Sequence, residues 1–335
     1  MGIENRLLAL VVCLALGVGL TAAAVSASGV AGPRAGTPLG AAEGAAAADP
    51  VRVREVPRET SPAPAAGPDA STGTVRVDCG RNEEGHYNED NLVVSPGLRS
   101  GAHHTHAYVG NLSADAMATD ASLDAAATTC RGGDRSTYYW PVLRRTDRRG
   151  TRAHEGAAGH GNAGEILREA SVLLEFRGSP VGKVVPMPRF LRALTGDAVA
   201  FTGGVDADVR ARWGCSGAPG RATTRYPRCP VGDRVTRTLT FPSCWNGLDT
   251  ASAGHRSHLR FPAANGVCPQ DTFPVPELRI TLAHEVPPDA PIALDSFPEQ
   301  RHSPETDHAM FVNAMSEEQM AQVVLCLNEG RACRI

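Results

Sequence analysis

Short apolar runs at 75–77, 92–94, 172–176, 239–241 and 278–282 recur along the chain, each bounded by turn residues. Leu278, Ile280 and Leu282 alternate with Arg279 and Thr281, the period-two pattern of a strand with one buried face. The 35 glycines and 25 prolines suit many turns and long connections better than a helical bundle. Two helices are predicted. Ser316 can cap a helix over 317–327, with Gln319 as its capping-box partner and Gly330 after its end. Met320, Val323, Val324 and Leu327 would form its buried stripe. The second helix is predicted over 122–127. The pattern therefore predicts a mainly β protein: an antiparallel β-sandwich-like domain with long loops, a C-terminal helix and disulfides.

The N-terminus adds a targeting segment. Arg6 precedes an apolar run at 7–20 and small residues at 22–27, so 1–27 reads as a signal peptide. The run is short for a retained anchor or a stable span, and no lipobox precedes Cys13. Residues 28–72 are rich in alanine, glycine and proline and read as a disordered linker. A single disulfide-stabilised domain is assigned to 73–335, and the protein is expected to be secreted.

Removing the signal segment leaves Cys79, Cys130, Cys215, Cys229, Cys244, Cys268, Cys326 and Cys333. An even set in an exported chain argues for disulfides. Nearest-neighbour pairing is the simplest arrangement: 79 with 130, 215 with 229, 244 with 268, 326 with 333. Structural zinc on these thiols is disfavoured because no CxxC pair occurs. The formal charge of -3 and the scattered arginines make nucleic acid an unsuitable partner.

The candidate chemistry gathers in two stretches. His103-His104-Thr105-His106 puts His104 and His106 on one face of an extended segment. Phe241-Pro242-Ser243-Cys244-Trp245-Asn246-Gly247, followed by Asp249 and His258, supplies aromatic, acidic and imidazole groups within a short span. Together with Val94-Ser95-Pro96-Gly97, Tyr138-Tyr139-Trp140-Pro141, Cys268-Pro269 and Pro274-Val275-Pro276-Glu277-Leu278, these stretches resemble in order the secreted family catalogued as a domain of unknown function, DUF1996. The resemblance covers about 75–327. It supplies positions rather than a mechanism, and marks His104, His106, Asp249, His258 and His308 as polar positions of the family pattern. The chain departs from that pattern at 308–315, where His-Ala-Met-Phe-Val-Asn-Ala-Met replaces a segment that tends to carry an acid and tryptophans.

Three functions follow from these residues. The first is an enzyme acting on cell-envelope or environmental polysaccharide, a hydrolase or lyase. In it His104, His106, Asp249, His258 and His308 do acid–base work, and Tyr108, Trp140, Trp245 and Asn246 contact sugar. Glycoside hydrolysis usually needs two carboxylates, and Asp249 and Glu277 are the only motif-borne acids. The second is a zinc or copper site on His104, His106 and His258, with His308 as the other third-ligand candidate. The third is a structural or adhesive extracellular module, in which Trp245 packs on a disulfide and His258 is a satisfied core histidine.

Overall fold

The structure, a computed structural model, describes residues 49–60, 64–150 and 160–335. The signal peptide and the first part of the expected linker lie outside the described residues.

Eleven strands build two main sheets. In chain order they are β1 (Thr74–Val77), β2 (Tyr87–Asn88), β3 (His106–Gly110), β4 (Thr137–Pro141), β5 (Glu169–Arg177), β6 (Arg192–Gly196), β7 (Trp213–Cys215), β8 (Val235–Thr240), β9 (Glu277–His284), β10 (His308–Val312) and β11 (Ala332–Arg334). One sheet has the order β7-β8-β9-β5-β1-β11, and the other β2-β3-β4-β10-β6. Neighbours are antiparallel throughout except β1 and β11, which run parallel. Three smaller sheets of two or three strands lie at the margins.

The core lies between the two main sheets. Val75, Val77, Leu174, Phe176, Leu239, Leu278 and Ile280 of the first meet Ala107, Val109, Tyr138, Trp140, Ala309 and Phe311 of the second. Because side chains alternate along a strand, the remaining residues of β3, β4 and β10 point to the opposite face. There Tyr108, Tyr139, Met310 and Val312 pack with Leu92, Val93, Ala114 and Leu123 into a second apolar layer. Every residue of β3, β4 and β10 is consequently buried. The arrangement is the expected β-sandwich, with its five-stranded sheet covered on both sides.

Both helices form. Helix α1 spans Asp120–Ala125, two residues earlier than expected, because Thr119 rather than a later residue makes the cap, in a box with Ser122. Helix α2 spans Glu317–Asn328, and Ser316 and Gln319 cap it reciprocally. Met320, Val323 and Leu327 are buried as the periodicity requires. Disulfides join Cys79 to Cys130, Cys215 to Cys229, Cys244 to Cys268 and Cys326 to Cys333.

Among the described residues of 49–72 the chain packs against the domain, contrary to the linker expectation. Val51–Arg52 pairs in parallel with Pro227–Arg228, and Val53 and Val56 are buried. Ser71 is also buried, its hydroxyl bonded to Gly182 and Asn328. The alanine-rich average of the segment concealed its valines, which find apolar partners only once the domain has folded.

Candidate metal centre

The register of the five-stranded sheet brings distant histidines together. His106 on β3 pairs directly with Pro141 on β4. On the other side of β4, Met310 of β10 pairs with Tyr139, which sets His308 level with Pro141 as well. His106 and His308 thus flank a residue with no long side chain, on the face away from the sandwich core. His104, two residues before His106 on the same face, completes the group.

The three rings meet through their Nε2 atoms. His104 Nε2 lies 3.1 Å from His106 Nε2 and 3.3 Å from His308 Nε2, and the last two are 3.5 Å apart. A point equidistant from all three is only about 1.9 Å from each, slightly less than the roughly 2.0–2.1 Å of a zinc–imidazole bond. The three Nε2 atoms of His104, His106 and His308 are therefore spaced so that they would hold a single zinc-sized ion between them. Exposures of 1%, 0% and 2% for His104, His106 and His308 place the centre below the surface.

The far ring nitrogens are arranged to free Nε2. His106 Nδ1 lies 3.0 Å from the Asp90 carbonyl, and His308 Nδ1 lies 2.7 Å from the Thr306 carbonyl. A carbonyl only accepts, so both Nδ1 atoms carry the proton and both Nε2 atoms present lone pairs. His104 Nδ1 makes no hydrogen bond of ordinary geometry among the described residues, although the nearby Ala102 carbonyl favours a proton there. One Nε2–H on His104 would satisfy part of a metal-free cluster, whereas a metal ion uses all three lone pairs. Burial holds His104 and His106 well below the ordinary histidine range, and the facing imidazoles push the same way. Burial also lowers His308, against the pull of Thr306. The rings are neutral near pH 7, the form that binds metal.

Two buried ion pairs hold the backbone beside these rings. Arg144 clamps Asp295 through Nε and Nη2 at 2.5 and 2.9 Å, and its Nη2 also reaches the Thr105 hydroxyl at 3.2 Å. Asp295 accepts in turn from the Thr105 backbone N–H at 3.1 Å, fixing the residue between His104 and His106. Arg237 clamps Asp307, the neighbour of His308, at 2.9 and 2.5 Å. Asp90 adds a third brace, because its carboxylate accepts from Ser100 and Ala116 while its carbonyl receives His106 and Tyr108. Supports of this kind set ligand orientation in metal sites.

The other expected site residues lie elsewhere or have other partners. His258 is buried, its Nδ1 beside Ser252 Oγ at 2.8 Å and its Nε2 beside the Arg192 carbonyl at 2.7 Å. It is a satisfied core histidine, and His308 takes the third position instead. Asp249 is exposed and joins Asn246 in a local turn; Glu277 lies beside Arg279. Tyr108 and Trp140 are buried, with their polar atoms on the Asp90 carbonyl and on Glu169, so neither offers a face to sugar. Trp245 is half-buried and donates to the Asp249 carbonyl.

Asp90, Arg144 and Asp295 were not among the residues expected from the sequence. Only Asp295, directly after the apolar run 292–294, stood out in the sequence, because Asp90 and Arg144 each adjoin another charged residue.

Fold and site together define a disulfide-bonded β-sandwich with a buried tri-histidine cluster on its five-stranded sheet. The chain belongs to the family described as Domain of unknown function (DUF1996), whose model matches residues 91–319. No curated protein and no solved structure matches the chain. Among the described residues no helix is long and apolar enough to cross a membrane.

Proposed function

We propose that this is an exported metalloprotein whose His104, His106 and His308 hold one transition-metal ion of the zinc–copper class. The observation that carries this reading is the convergence of three Nε2 atoms 3.1–3.5 Å apart on a common point. All-imidazole donors suit zinc and copper better than magnesium or calcium, which take oxygen ligands. Three histidines with an open fourth corner are also the ligand set of catalytic zinc. The four disulfides fit an oxidising compartment. Metal analysis of protein purified without affinity tag or chelator tests the reading. Zinc or copper near one per chain is expected, lost in His308→Ala and kept in His258→Ala; metal-free wild-type protein that takes up neither ion on dialysis overturns it.

A second reading, polysaccharide binding, is favoured by the small sheet that carries Trp245. Its cross-strand partner is Phe273, which is 53% exposed, and directly paired residues share a face. With Asn246 and Asp249 beside them, the two rings offer a sugar an apolar platform edged by hydrogen-bonding groups. Retention on insoluble polysaccharides should fall in Trp245→Ala/Phe273→Ala. Equal elution of variant and wild type on every polymer removes this reading and leaves the metal centre untouched.

A further inference from the structure

We propose that His103 and His160 form an outer metal-binding pair that captures zinc or copper ions and passes them to the buried centre past Phe297. The proposal rests on the metal reading of that centre.

His103 Nδ1 and His160 Nε2 are 3.2 Å apart, the same separation as between the inner ligands. His103 is exposed and His160 half-buried, so the pair meets solvent where the inner rings do not. His103 is chain neighbour to the inner ligand His104, yet it occupies the left-handed region at φ 55. That conformation is uncommon for a residue with a Cβ. It breaks the extended alternation at this point, leaving His103 outside while His104 and His106 turn inward.

One aromatic ring touches both groups. The half-buried Phe297 ring lies 5.8 Å from that of His103 and 5.3 Å from that of His104. Buried Asn162 holds this arrangement, donating to the carbonyls of His103 and Ser296 at 3.3 and 3.0 Å and accepting from Ser296 N–H at 2.9 Å. One amide side chain therefore ties the outer histidine to the residue preceding Phe297. A solvent-reachable pair of imidazoles binds such ions weakly and reversibly, while three buried ones bind firmly, so the ion moves inward when the ring swings aside. No bond other than metal–nitrogen is made or broken.

The test is metal titration, with stopped-flow loading of metal-free full-length protein by zinc chloride in competition with a chromogenic chelator. Wild type is expected to bind a tight and a weak ion. His103→Ala/His160→Ala should keep the tight ion, lose the weak one and load about tenfold more slowly. Phe297→Ala should load and release faster than wild type. His308→Ala should lose the tight ion and keep the weak one. Unchanged stoichiometry and loading rate in the His103→Ala/His160→Ala protein, with the tight ion still lost in His308→Ala, overturns the outer pair and leaves the inner centre standing. Loss of the only bound ion in the double variant, with His308→Ala like wild type, overturns both the transfer and the inner centre.

Discussion

At the residue scale, buried ion pairs hold the residues next to the three histidines. Removing one member of a buried ion pair strands the other and typically costs about 3–5 kcal/mol, whereas replacing both with apolar groups is far milder. Asp295→Asn should therefore lower unfolding stability by about that amount in urea titrations. It should also weaken zinc binding by about 10–100-fold, since Thr105 loses the anchor that spaces His104 from His106. The paired change Arg144→Met/Asp295→Leu should recover much of the stability but not the affinity. His284 gives a pH signature independent of the metal. It is buried, Arg237 lies nearby, and its Nε2 has no hydrogen-bond partner among the described residues; burial first and that cation second push it down to about 3. The folded pKa lies below the 6.5 of the free side chain, so the unfolded chain takes the proton first. Stability then falls as pH drops from 6.5 toward 3, by about 1.4 kcal/mol per pH unit from this residue. Chemical denaturation at several acidic pH values should show a shallower slope by that amount in His284→Leu.

At the element scale, strand β10 is placed by what its neighbour lacks. His308 pairs with Gly196 at the end of β6. Gly196 has φ +77, and a Cβ there would lie 2.2 Å from the Asp307 carbonyl oxygen and 2.8 Å from His308 Cα. Gly97 has a similar φ of +80, but nothing lies within 4 Å of its missing Cβ. Gly97→Ala should cost only the left-handed strain of about 1–2 kcal/mol. Gly196→Ala should cost more by denaturant unfolding and should alone weaken metal binding, because backbone rather than a flexible side chain must yield. Helix α2 offers a simpler case: Ser316→Ala removes a reciprocal cap and should cost about 1 kcal/mol. That cap was legible from Ser316 and Gln319 by themselves, since capping is an interaction between residues three apart. The start of α1 was misplaced because several residues there can cap, and packing of Leu123 selected among them.

At the scale of the whole molecule, the disulfides and the proposed metal contribute in different ways. The chain-entropy model makes a bridge worth more the longer the loop it closes. Cys79–Cys130 closes a separation of 51 residues and Cys326–Cys333 one of 7, giving about 4 and about 2 kcal/mol. Cys79→Ser/Cys130→Ser should therefore lower the midpoint of thermal unfolding more than Cys326→Ser/Cys333→Ser. An ion bound only by the folded state adds about 2.7 kcal/mol at a hundredfold excess over its Kd. Scanning calorimetry should show that gain with zinc for wild type and a much smaller one for His308→Ala.

Local rules were enough for the class of fold, the C-terminal helix and the alternation that faces His104 and His106 together, because each depends on residues a few positions apart. The simplest cysteine pairing was also legible, since each bridge joins neighbours in sequence. The third imidazole was not. The chain pointed to His258 with His308 as the alternative, and only the pairing of β10 and β3 on either side of β4 sets His308 level with Pro141, whereas His258 lies against Ser252 and Arg192. The same pairing buried Tyr108 and Trp140, while the separate pairing of Leu143–Arg145 with Ile292–Leu294 brought Arg144 to Asp295 and Phe297 near both His103 and His104. Such contacts join positions far apart in the chain, and strand register, a property of the assembled sheet, decides them.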